Sequence, residues 1–186
     1  MERLSTKKIL FLSLNELSQK MPVSKITIED ITSNCGLKRG IFYYYFKDKE
    51  DLVQSTVAEH ILQSYKEYYW QGAWVKLLEH SMEFSYEYHH MLRNFYKSYE
   101  WYEKSFFVQM EEYINDIVTI YYRKKYDKKV PKEIQNAISF YTAGSLRLYQ
   151  QWVCSANPLT PAEMAENINM CVPECLREAL NGGKEI

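Results

Sequence analysis

The residues best placed to do chemistry lie between Gly36 and Leu52, GLKRGIFYYYFKDKEDL. Lys38 and Arg39 precede a glycine, Gly40; Tyr43, Tyr44 and Tyr45 follow in a row, and Lys49 closes the set. Ammonium, guanidinium and phenol groups are donors to anionic oxygens, and Lys and Arg also fit the acceptor edge of guanine. A second concentration is aromatic and spans residues 65–126. Phenols and indoles buried together need a polar partner that a ligand can supply, so Trp74, Tyr86, His89, Tyr99, Trp101 and Tyr113 are the expected effector-binding residues. Two smaller sets read as structural. His80, His89 and His90 with Glu83 and Glu87 show no recognisable metal signature, and no metal or other cofactor is expected. Cys171 and Cys175, four apart, read as small apolar residues facing a neighbouring helix, and Cys35 as a small buried residue.

Local rules give the elements that must position these groups. Leu10, Leu14 and Leu17 recur at helical spacing in an amphipathic first helix that Pro22 closes. Thr27 and Asp30 form a capping box that opens a second, short helix, and Gly36 supplies the left-handed residue that ends it. A third helix begins near Lys38. Phe42 and Phe46, four apart, share its inward face, while Gly40 and Tyr44 face the other way, flanked by Ile41 and Tyr43. Asp48 starts a long fourth helix running to about Trp70, and Gly72 breaks it. Residues 74–126 contain no Gly or Pro and divide into helices near 74–87, 89–97 and 102–126. A helix from Pro131 to Val153 is apolar on more than one side, with Phe140 and Tyr141 adjacent, and so is expected between two layers. Thr160-Pro161-Ala162-Glu163 opens the last helix, which Pro173 is expected to kink.

Helix, glycine turn and helix with an outward Gly/Tyr face make a helix-turn-helix. The stretch from Ile26 to Leu52 resembles the DNA-binding region of TetR-family transcription regulators, through Thr27, Ile31, Gly36-Leu37, Gly40, Phe42 to Phe46, Lys49 and Leu52. Residues 136–141 with Gly144 and Trp152 look like the penultimate helix of a subgroup that includes regulators of dihydroxyacetone kinase genes. The resemblance implies a double-stranded DNA operator, a small-molecule effector and a homodimer formed by the last two helices. Tyr141, Gly144, Ser145, Leu148, Ile168 and Val172 are the expected interface residues. The expected DNA contacts are Thr27, Lys38, Arg39, Gly40, Ile41, Tyr43, Tyr44 and Lys49. Lys38 and Ile41 depart from the small polar residue and threonine common in the family, so the operator sequence does not carry over from relatives.

Composition agrees. Six Gly and five Pro in 186 residues disfavour a turn-rich β-fold, and 46% hydrophobic residues exclude global disorder. The overall charge is −1, but residues 1–52 carry a net +2, so an anionic partner would meet the N-terminal end. No apolar run reaches the roughly 20 residues of a membrane span. Polar residues interrupt the N-terminal apolar stretch, and four sparse cysteines fit a reducing cytoplasm. No phosphate loop, nucleophile elbow, zinc-hydrolase helix or dinucleotide fingerprint is present, so no enzyme is expected. The expected protein is all-α: a three-helix DNA-binding domain over residues 1–47, then about six helices for effector binding and dimerisation over 48–186. The expected function is a cytoplasmic repressor that a small molecule releases from DNA. The other reading is a small-molecule-binding helical protein, or a co-activator, without its own operator.

Overall fold

Ser5 opens the first helix by accepting a hydrogen bond from the Lys8 N–H at 3.2 Å. In the computed structural model, which describes residues 4–98 and 104–181, ten α-helices follow one another: α1 Thr6–Ser18, α2 Ile28–Asn34, α3 Arg39–Tyr45, α4 Lys49–Tyr68, α5 Trp74–Glu87, α6 His89–Ser98, α7 Lys104–Tyr126, α8 Lys132–Cys154, α9 Pro161–Met170 and α10 Glu174–Asn181. Short 3₁₀ turns at Val23–Lys25 and Tyr69–Gln71 join α1 to α2 and extend α4. The fold is all-helical, with no strand among the described residues.

The first three helices close around Leu10, Phe11, Leu14, Ile31, Phe42 and Phe46, all buried. The expected stripe on α1 included Leu17, which is only half-buried; Phe11 is buried instead, and it carries α1 onto the rest of the chain. Its ring lies 5.2 Å from Phe84 and edge-on at 5.0 Å from Tyr88. The N-terminal helices therefore rest on α5 and on the start of α6. Lys7 and Glu59 add an exposed ion pair at 2.9 Å between α1 and α4, a small contribution. Beyond this, α5 packs on α4 and α9, and α7 on α8 and α10.

Three sequence expectations need correction. Pro173 does not kink one helix; it separates α9 from α10, giving seven helices after α3 rather than about six. Proline has no N–H to donate and forces Val172 out of the helical region. Its carbonyl instead accepts from Leu176 N–H at 2.9 Å, in the first turn of α10. Cys171 and Cys175 flank this break and are exposed, not turned to a neighbouring helix. Finally, α8 is not covered on all sides: Tyr141 is buried, whereas Phe140 is 81% exposed.

Candidate nucleic-acid interface and effector cavity

Local hydrogen bonds fix the orientation of α3 closely. Asp30 N–H donates to Thr27 Oγ1 at 3.1 Å while the Asp30 carboxylate accepts from Thr27 N–H at 2.8 Å, closing the capping box of α2. Donation from the Thr27 hydroxyl, and after it from the Thr27 N–H, holds the Asp30 carboxyl below its ordinary pKa. At the other end Leu37 N–H donates to Thr32 O at 2.8 Å and Gly36 N–H to Ser33 O at 3.1 Å, with Gly36 at φ 69°. This is a Schellman turn, and its left-handed residue favours glycine. Ser13 on α1 donates to Ile31 O at 2.7 Å and accepts from Asn34 Nδ2 at 3.1 Å, clamping α2. After α3, Phe46 is extended and Asp48 caps α4 by accepting from Asp51 N–H at 2.8 Å.

Held this way, α3 buries Phe42 and leaves the opposite face open. Lys38, Arg39 and Gly40 are exposed, as are Ile41, Tyr43 and Tyr44; Tyr44 is 80% exposed. A Cβ built on Gly40 would meet nothing within 4 Å, so this glycine leaves the ridge low without any demand from the fold. Arg39 Nη2 donates to Tyr43 OH at 3.1 Å and the guanidinium lies 5.5 Å from the ring centroid, so the cation is pre-positioned. Two residues outside the expected set also reach this surface. Tyr45 is exposed and edge-on to Tyr44 at 4.9 Å, and Lys47 is exposed just beyond the helix end. Their signal in sequence was only proximity to the tyrosine run.

Lys49 is placed differently from the expectation. Its Nζ donates to Val23 O at 2.9 Å and to Ile26 O, and lies 3.5 Å from Ser24 O. Partial burial holds its pKa below the ordinary lysine value. The ammonium ties the start of α4 to the turn before α2, so its donors are directed at the protein's own backbone. Thr27 Oγ1 likewise bonds the Asp30 carboxylate, at 2.7 Å.

The C-terminal half contains an apolar cavity of about 80 Å³ among α4, α5, α7, α8 and α9. Of the expected effector residues Trp74 lines it, and Tyr113 stands one ring away, edge-on to the lining residue Tyr65 at 4.6 Å. Tyr86 and His89 lie elsewhere: Tyr86 is exposed and stacks 6.4 Å from Trp152, and His89 begins α6 beside the end of α8, where burial holds its pKa below the ordinary histidine value. Tyr99 and Trp101 fall outside the described residues. Three of the expected interface residues, Tyr141, Ser145 and Ile168, line this cavity instead, and Val172 is buried within the chain. The cause is helix phase: on α8, positions 138, 141, 142 and 149 face inward. Gly144 is exposed with open space around it, and Leu148 is half-buried. Ser81 and Thr142, also in the lining, were not anticipated. Small hydroxyl residues on an otherwise apolar helix face were the available signal.

The sequence matches a family model described as bacterial regulatory proteins, tetR family, over residues 15–56. A second model of that family, described as transcriptional regulator C-terminal region, matches residues 72–173, more than half of the chain. The chain belongs to the TetR family of transcriptional regulators. This TetR-family chain is accordingly a DNA-binding regulator. Among solved structures it is similar to the dihydroxyacetone kinase operon activator DhaS, with a TM-score of 0.69 and 16% identity over 90% of this chain and 93% of that one. At that identity the likeness is one of fold. No curated protein matches the sequence. Among the described residues, no helix of this TetR-family protein is long and apolar enough to cross a membrane.

Proposed function

We propose that the protein is a homodimeric repressor that reads its operator with α3 and leaves it when a small molecule fills the cavity. Residues 1–47 bind DNA; residues 48–186 bind the effector and form the dimer. The observation that carries this reading is that α4 belongs to both sites. Asp48 caps it just after the recognition helix ends, and Ile61 and Tyr65 of the same helix line the cavity. From Asp48 to Tyr65 is about 25 Å at ~1.5 Å per residue, so a small tilt at the cavity end moves the recognition helix. A ligand acts in this way only through different affinities for the two arrangements.

The dimer follows from reach. A recognition helix of seven residues covers few base pairs, and a two-fold pair spans two half-sites. Because Tyr141, Ile168 and Val172 are committed inside the subunit, the proposed face is the open side of α8, centred on Phe140 and Gly144. DNA contacts are proposed for Lys38, Arg39, Gly40, Ile41, Tyr43 and Tyr44, with the α2 N-terminus at Thr27 beside them.

Fluorescence anisotropy on a duplex from the protein's own promoter region tests the reading. Tyr44→Ala is expected to weaken binding by about tenfold or more, the size of one lost contact, with unchanged melting. Unaltered affinity would remove α3 from the interface. The similar solved structure is named an activator, so a promoter–reporter fusion gives the sign here. Deletion of the gene raising expression supports repression; lowered expression overturns it.

A further inference from the structure

The cavity is built as an apolar chamber with a polar corner. Ile61, Leu77, Met82, Ile114, Leu146 and Ile168 supply apolar wall. Trp74 Nε1, Tyr141 OH, Thr142 Oγ1 and Ser145 Oγ are buried side-chain atoms without a hydrogen bond of normal geometry; Trp74 and Ser145 lie close enough to the Tyr141 phenol to favour its ionised form, and all four residues line this one cavity. Their neighbours are satisfied: Ser81 donates to Leu77 O at 2.6 Å, and Tyr149 OH pairs with Ser85 Oγ at 2.6 Å. Folded proteins rarely leave buried polar groups without good hydrogen bonds, and this concentration of them around one void is what a polar occupant would complete. Tyr141 and Ser145 lie one turn apart on α8, and Trp74 faces them from α5 with its ring centroid 6.5 Å from that of Tyr141.

The same residues define what that occupant is. No Asp, Glu, Lys, Arg or His stands among the described lining residues. Burial pushes the phenols of Tyr141 and Tyr149 up to about 12 and that of Tyr65 further, so none of them is ionised near neutral pH. An ionised ligand would lose its hydration with no opposite charge in return. The indole N–H is a donor only, so the ligand must carry an acceptor, while the hydroxyls can answer in either sense. An engineered cavity of about 150 Å³ takes benzene, with six carbons; at roughly half that volume the site suits about three or four non-hydrogen atoms.

We propose that the cavity takes a neutral short-chain ketone or alcohol, its oxygen held by the Trp74 N–H and the hydroxyls of Tyr141, Thr142 and Ser145. This rests on reading the cavity as the effector site, and it narrows that site to one ligand class. A molecule of about four heavy atoms binds no tighter than roughly the tens-of-micromolar range.

The test is a titration of the full chain with acetone and 2-propanol, following the Trp74 indole N–H resonance by NMR. Trp74→Phe identifies that resonance by its disappearance. A saturable shift is expected, with acetate at least about tenfold weaker because the anion has no counter-charge. Tyr141→Phe and Thr142→Val, each checked for unchanged melting, are expected to weaken acetone by about three- to tenfold. Absence of a saturable shift with both neutral probes overturns the proposal, as does acetate binding equally well. Anisotropy on the promoter duplex with the same probes separates the two readings. Binding of acetone without any change in DNA affinity leaves the ligand class standing and overturns the effector assignment.

Discussion

Replacing Lys49 by methionine separates two roles that one cation can have beside DNA. In the structure its ammonium donates to Val23 O and Ile26 O, while the 3.5 Å approach to Ser24 O is too long to count. Methionine keeps the aliphatic stem and removes the donors. Each charge-assisted bond contributes about 1.5–3 kcal/mol at most. The site is half-buried, and the desolvation that holds the lysine pKa down offsets part of that gain. A net loss of about 2 kcal/mol is the resulting figure, which for a chain of this size lowers the melting temperature by roughly 4–8 °C. The assay is thermal unfolding of both proteins alongside anisotropy on the promoter duplex between 50 and 200 mM salt, about the span over which phosphate contacts show. Lys49→Met is expected to melt earlier and to keep the salt slope of the wild type. An unchanged melting temperature with a slope shallower by about 0.9 per subunit would mean that Lys49 neutralises a phosphate, and would refute the structural role argued here.

Other substitutions probe the remaining links. Gly40→Ala meets no atom within 4 Å, so it is expected to stabilise the free protein by up to about 1 kcal/mol in chemical denaturation, yet weaken promoter binding because its methyl stands between α3 and the duplex. Phe140→Asp is expected to convert the proposed dimer to a folded monomer in sedimentation; a dimer that persists would place the interface elsewhere. His60 stacks on His80 at 5.1 Å, bonds His80 O through Nε2 at 3.0 Å, and is held by burial below its ordinary value of 6.5. The unfolded chain therefore binds that proton more readily, and stability is expected to fall as pH drops through 6.5. Denaturant midpoints at pH 7.5 and 5.5 should differ less in His60→Gln than in the wild type, and an equal pH dependence would contradict this.

What could be read directly from the residue order was decided within a few residues of chain. Thr27 with Asp30 and Thr160 with Glu163 form capping boxes because the partners are three apart, whatever surrounds them. Gly36 ends α2 because its own backbone takes the left-handed turn. Phe42 in and Tyr44 out follow from 3.6 residues per turn, so the exposed face of α3 was legible almost completely. The fate of Lys49 was not, because its acceptors lie 23 and 26 residues earlier and only α4 crossing the 23–26 turn brings them within reach. Nor was the cavity. Tyr141, Ser145 and Ile168 look as suitable for a partner subunit as for an interior; the rotational phase of α8 turns Tyr141 and Ser145 inward while leaving Phe140 outside, and that of α9 turns Ile168 inward. Periodicity assigns residues to faces of a helix. Which face is covered depends on contacts between segments distant in the chain, and those exist only once the helices have packed.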